Sequence, residues 1–109
     1  MEVQQELIKN WQVIKVTGEI DSKTVSTLRD FIDEKLVEDT AVALDLEKVP
    51  FMSSAGLRTL LTLQRKTTSM KVDLALIGVA NEIQDTMKVT GFLQYFKIYD
   101  SIESVSYTH

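Results

Sequence analysis

Residues 41–57 read Ala41-Val42-Ala43-Leu44-Asp45-Leu46-Glu47-Lys48-Val49-Pro50-Phe51-Met52-Ser53-Ser54-Ala55-Gly56-Leu57. The first six form a nearly continuous apolar run, which suits a strand covered on both faces, as in a parallel sheet. A loop holding the chain's single proline comes next, and two hydroxyls and two small residues then open a helical pattern. Leu57, Leu60, Leu61 and Gln64 define the buried side of that helix, with Leu63 adding to it. A buried strand that hands over to a helix is half of a βαβ unit, and the rest of the chain repeats the theme.

Upstream, Val3 to Ile8 is weakly strand-like, and Trp11 to Ile20 more strongly so, with Trp11, Val13, Val16 and Ile20 among polar residues. Asn10 between them suggests a turn and hence an antiparallel pair. Gly18-Glu19-Ile20-Asp21 closes the second strand, and Asp21 or Ser22 can cap a helix beginning just after it. From Lys23 to Val37, Val25, Leu28, Ile32 and Leu36 recur at helical steps, widened by Phe31. Arg29, Asp30, Asp33, Glu34 and Lys35 occupy the solvated side of that helix.

Downstream, Val72 to Ile77 is another buried-type strand. Asn81 is expected to cap a third helix that turns Ile83, Met87 and Val89 inward and stops at Gly91. Phe96-Lys97-Ile98-Tyr99 reads as a last strand, and Ser101 as the cap of a final helical stretch through Ile102 and Val105. The predicted order is β β α β α β α β α. This is one α/β domain over residues 1–109, with a mostly parallel central sheet of about five strands and about four helices.

Composition narrows the chemistry. With 44% hydrophobic and 26% charged residues the chain has ordinary globular balance, and 109 residues leave room for one domain. The absence of cysteine removes disulfides, thiolate zinc sites and a thiol nucleophile. Its one histidine, His109, is the last residue, a poor place for a metal ligand or a catalytic base. The net charge of −4 is uneven: residues 1–50 carry 11 acids and 6 bases, residues 51–109 carry 5 acids and 6 bases. No basic run interleaved with aromatics appears, so nucleic acid is a poor partner. No apolar run approaches the ~20 residues of a membrane span. Met1-Glu2-Val3-Gln4-Gln5-Glu6 lacks the basic-then-apolar layout of a signal peptide, so a cytoplasmic domain is expected.

Functional loops of parallel sheets gather at the carboxyl ends of the strands. Two such loops stand out, residues 18–22 and residues 49–56. In the second, a helix start needs one capping hydroxyl, yet Ser53 and Ser54 supply two, and Ala55-Gly56 cannot shield the surplus. One reading is structural. The other is phosphorylation, since a helix N-terminus tolerates a group of roughly −1.5 to −2 charges without unfolding the domain. Hydrolysis is disfavoured, because no base is at hand and Met52-Ser53-Ser54-Ala55-Gly56 is not a Gly-x-Ser-x-Gly elbow. Nucleotide-binding glycine loops are absent. Asp45 through Met52 is superficially similar to the phosphoacceptor strand of a receiver domain. Such a domain needs an acidic pair after its first strand for Mg²⁺, and here that strand ends in Lys9-Asn10, while Lys97 sits mid-strand.

Taken together, these segments resemble a stand-alone STAS domain, the fold of anti-sigma factor antagonists. Gly18-Glu19-Ile20-Asp21 resembles the family's motif ahead of the first helix, and Leu44-Asp45-Leu46 through Gly56-Leu57 its central signature. Leu76 to Val79, Met87 to Phe92 and Phe96 to Tyr99 resemble its closing half. The chain departs from the pattern in having Ser53 where many antagonists have Asp, and Ala55 where many have Ser or Thr.

The resemblance implies a binding module and not an enzyme, with no cofactor and no metal ion. It implies that the unphosphorylated form binds an anti-sigma factor that is itself a serine kinase. Phosphorylation of Ser54 would release that partner, and a PP2C-type serine phosphatase would restore binding. Asp21, Ser22, Ser53, Ser54, Gly56 and Arg58 are the expected partner-binding residues, and the free protein is expected to be a monomer without membrane insertion. The alternative is a STAS regulatory subunit of a transport complex with no kinase switch.

Overall fold

The computed structural model describes residues 1–36 and 39–101. Five strands form one sheet: β1 (Glu2–Ile8), β2 (Trp11–Thr17), β3 (Ala41–Lys48), β4 (Leu74–Ile77) and β5 (Lys97–Tyr99). Their spatial order is their chain order, β1-β2-β3-β4-β5. β1 pairs antiparallel to β2 through a tight turn that sets Ile8 opposite Trp11, and the other pairings are parallel. Lys9 and Asn10 form that turn, as Asn10 suggests, and Lys9 is its left-handed residue, at φ 55°.

Three helices make the crossovers: α1 (Val25–Lys35), α2 (Ser54–Met70) and α3 (Asn81–Thr90). Residues from all three enter one cluster with Ile14, Val16, Val42, Leu44, Leu46 and Leu76. Alternate strand residues, Trp11, Val13, Ala43, Ala75 and Ile77, form a second cluster that contains no helix residue. Side chains alternate across a strand, so the described helices share one face of the sheet. Crossovers of one hand that always step to the next strand have this consequence. Each fully buried Leu or Ile in the larger cluster contributes roughly 1.5–3 kcal/mol relative to exposure.

Several expectations are corrected. α1 is shorter than Lys23–Val37, and the chain turns extended at Leu36. Asn81 is the first residue of α3 and not its cap; the cap position is Ala80, which has no side-chain bond to offer. Gln84 Nε2 instead donates to the Val79 carbonyl at 2.9 Å, tying the helix start from inside. Val89 is 87% exposed, because Ile83 and Met87 set the inward face and a residue two places after Met87 lies roughly 200° around the helix from it. Gly91 does end α3, at φ 79°, with the Phe92 amide reaching back to the Met87 carbonyl at 2.8 Å. Thr67 is buried and Leu61 only half-buried, so the inner stripe of α2 is Leu57, Leu60, Leu63 and Thr67. A short 3-10 turn, Leu93–Tyr95, precedes β5. The final helical stretch expected after Ser101 lies outside the described residues.

Candidate phosphoacceptor and partner-binding surface

The loops after β2 and β3 are joined at the carboxyl end of the sheet. Ile20 and Met52 form a parallel bridge beyond the ends of their strands. The Gly18 amide donates to the Lys48 carbonyl at 3.0 Å, the Ile20 amide to the Phe51 carbonyl at 3.0 Å, and the Ser53 amide to the Ile20 carbonyl at 2.8 Å. Both bridge residues are buried, Ile20 completely. The two loops that stand out in the sequence therefore form a single platform.

Gly56 makes this close approach possible. A Cβ at that position would lie 2.7 Å from Met52 Cγ, 2.8 Å from Ile20 Cγ2 and 3.2 Å from the Ile20 carbonyl oxygen. The first turn of α2 rests directly on the bridge, and a Cβ there requires the bridge side chains or the helix start to shift.

The two serines divide their roles. Ser53 is extended at φ −78°, ψ 172°, and its hydroxyl accepts from the Gly56 amide at 3.3 Å. Its carbonyl accepts the first helical bond, from the Leu57 amide at 3.0 Å. Ser53 is thus the cap. Ser54 is the first helical residue; it is exposed, and its hydroxyl makes no hydrogen bond among the described residues. No acidic residue occupies the first turn of α2, so the positive end of the helix dipole is unneutralised beside that hydroxyl.

At the other loop the cap position of α1 is Thr24 and not Asp21 or Ser22, and it makes no side-chain cap bond; Asp21 and Thr24 instead close the turn ahead of the helix. The Asp21 carboxylate accepts from the amides of Lys23 at 2.9 Å and Thr24 at 3.1 Å. The Asp21 amide in turn donates to Thr24 Oγ1 at 3.0 Å, and Thr24 Oγ1 donates to the Glu19 carbonyl at 2.8 Å. The Lys23 amide, and after it the Thr24 amide, hold the Asp21 carboxyl below its ordinary value. Ser22 is exposed in the turn and takes no part in those bonds.

Arg58 is exposed one turn along α2 from Ser54 and faces the groove toward α1. The structure therefore brings Asp21, Ser22, Ser53, Ser54 and Gly56 onto one platform, with Arg58 at its edge. Phe51 belongs there too, although nothing in the local sequence singles it out. It is 50% exposed, because the bridge turns Met52 inward and its neighbour outward. Among the described residues no group of acidic side chains and histidine could hold a metal ion, and no helix is long and apolar enough to cross a membrane.

The family model of the STAS domain matches residues 2–105. The chain belongs to the STAS domain family. Over 65 residues it is 29% identical to BtrV of Bordetella bronchiseptica, a protein named for an anti-sigma factor antagonist role. That match takes in 60% of this STAS chain and 56% of BtrV, so the chain spans little more than half of that relative. Among solved structures, an anti-sigma factor antagonist fold from Thermotoga maritima superposes with a TM-score of 0.89 at 14% identity, covering 97% of this chain and 92% of that one. SpoIIAA of Bacillus in its phosphorylated form gives a TM-score of 0.73 at 18% identity, covering 99% and 100%. At such identities the likeness is one of fold. The STAS fold accounts for the five-stranded sheet and places the Ser53–Ser54 junction at its carboxyl end.

Proposed function

We propose that this STAS domain is an anti-sigma factor antagonist that works as a phosphorylation-switched binding module. Its unphosphorylated platform binds an anti-sigma factor serine kinase. The kinase transfers phosphate to Ser54, the complex separates, and a PP2C-type phosphatase returns the protein to its binding state. The observation that carries this reading is Ser54 itself, an exposed hydroxyl with no hydrogen-bond partner among the described residues, beside a serine that already serves as the cap. The names borne by BtrV and SpoIIAA support it.

In the forward step Ser54 Oγ forms a bond to the γ-phosphorus of ATP while the bond to the bridging oxygen breaks. ADP leaves, and the hydroxyl proton passes to a base of the kinase. In the reverse step water displaces the Ser54 oxygen and inorganic phosphate is released. The helix amides and dipole stabilise the phosphate on the free protein, so its effect falls on the interface. Burying a dianion there without a cation costs several kcal/mol, and about 3 kcal/mol suffices for a ~100-fold loss of affinity.

The experiment is phosphorylation by the candidate kinase with ATP, then mass-spectrometric mapping on the wild type, Ser54→Ala and Ser53→Ala. Phosphate on Ser54 in the wild type and in Ser53→Ala, and none in Ser54→Ala, is the expected result. Phosphate on Ser53, or undiminished labelling of Ser54→Ala, overturns the assignment. Partner binding by Ser54→Glu as tight as wild type overturns the switch.

A further inference from the structure

A cavity of about 170 Å³ opens between α1 and α2, lined by Arg29, Ile32 and Asp33 on one side and Arg58, Leu63 and Lys66 on the other. Its floor is apolar, with Ile32 at 3% and Leu63 at 4% exposure. Lys66 Nζ meets Asp33 Oδ1 at 3.1 Å, so that pair answers itself. Arg29 and Arg58 are exposed, and neither guanidinium makes an ion pair or hydrogen bond among the described residues. An acidic chain, with net charge −4, thus carries a groove of the opposite sign.

We propose that this groove seats an acidic amphipathic helix of a protein partner, with Arg58 shared between that helix and a phosphate on Ser54. From Arg58 to Lys66 the groove runs about 12 Å along α2 at 1.5 Å per residue, two turns of a docked helix. An apolar stripe laid on Ile32 and Leu63 places flanking carboxylates beside the two arginines, which is how amphipathic helices fill such grooves. Arg58 lies four residues after Ser54, on the same side of α2. A phosphate on Ser54 is therefore within the arc swept by the Arg58 side chain and competes with the partner's carboxylate for it. This step deepens the proposed switch and rests on Ser54 as its phosphoacceptor. It gives release a definite cause, since the docked helix loses its cation to an intramolecular rival.

The test titrates the ¹⁵N-labelled full chain with a blocked peptide of Leu, Ala and Glu, patterned as an amphipathic helix. A peptide with Lys in place of Glu serves as control. The expected result is amide shifts at Arg29, Ile32, Leu63 and Lys66 with the Glu peptide alone. Affinity falls roughly tenfold in Arg29→Glu, and by as much in Arg58→Glu. Protein phosphorylated on Ser54 binds the peptide roughly tenfold more weakly, and most of that loss disappears in Arg58→Ala.

No binding of the Glu peptide, shifts centred elsewhere, equal binding of the Lys peptide or equal binding by Arg29→Glu overturns the groove assignment. So does engagement of phosphatidylserine vesicles in place of the peptide. The unphosphorylated titrations need no kinase, and Arg29 lies on α1, a different element from the one that begins at Ser54. Their failure leaves the Ser54 mapping intact, and a failure of that mapping leaves them intact.

Discussion

The starts of α1 and α2 stand side by side on one platform and solve the same problem differently. Ahead of α1, Asp21 Oδ1 and Thr24 Oγ1 are both engaged in the turn, by amides and by one another. Ahead of α2, Ser53 alone does the capping through one 3.3 Å bond, and the next hydroxyl is left over. A closed network holds structure, and an unused nucleophilic oxygen beside a bare helix end is available for chemistry. What separates the two junctions is how many polar groups remain after the helix has been capped.

That contrast can be broken from the largest effect downward. Gly56→Ala forces a methyl group against Met52, Ile20 and the Ile20 backbone, and overpacking of this kind costs about 1–3 kcal/mol. Urea denaturation should show it, and a wild-type midpoint would mean that Met52 and Ile20 give way to the methyl group without cost. Asp21→Ala comes next, because it removes the one oxygen that accepts from two amides and leaves Thr24 half-partnered. Its deficit should depend on pH. A carboxyl held below its ordinary value of 3.8 stabilises the fold above that value, and loses its contribution as pH falls through the lower folded one. The stability gap between wild type and variant should therefore narrow below pH 3.8, and an NMR titration of Asp21 with its midpoint above that value would contradict the turn network.

Ser53→Ala should cost about 1 kcal/mol, toward the lower end of cap losses given its long bond. Ser54→Ala should change stability by less than ~0.5 kcal/mol, as for an exposed residue with nothing to lose. If the Ser53 and Ser54 costs were reversed in thermal or urea unfolding, the division of labour between the serines would be wrong.

Periodic apolar patterns and turn residues made the β-α alternation legible, together with the hairpin at the start and the stop at Gly91. The serine pair was legible as a surplus because helix starts need only one cap. Features that depend on neighbours distant in sequence were not. The Ile20–Met52 bridge decides which residue of Val49-Pro50-Phe51-Met52 points outward, and the local string reads as uniformly apolar. Thr67 reads as polar, yet it lies on the inner stripe and returns its hydroxyl to the Gln64 carbonyl at 3.0 Å. Asn81 has the chemistry of a cap but enters one residue too late. The groove between α1 and α2 exists only once two helices separated by a whole strand are packed together, so Arg29 read as one solvated charge among several.

The sheet's strand order is also a timetable. Because β1 to β5 lie side by side in the order in which they occur along the chain, each strand pairs first with the one made just before it. Chains are synthesised from the N-terminus, and pairings over short sequence separations form early at low entropic cost. Among the described residues, the hydrogen bonds that frame Ser54 come from residues 18–20, from 48–53 and from the first turn of α2. A growing chain can therefore assemble the backbone of its Ser53–Ser54 junction while β4 and β5 are still unmade.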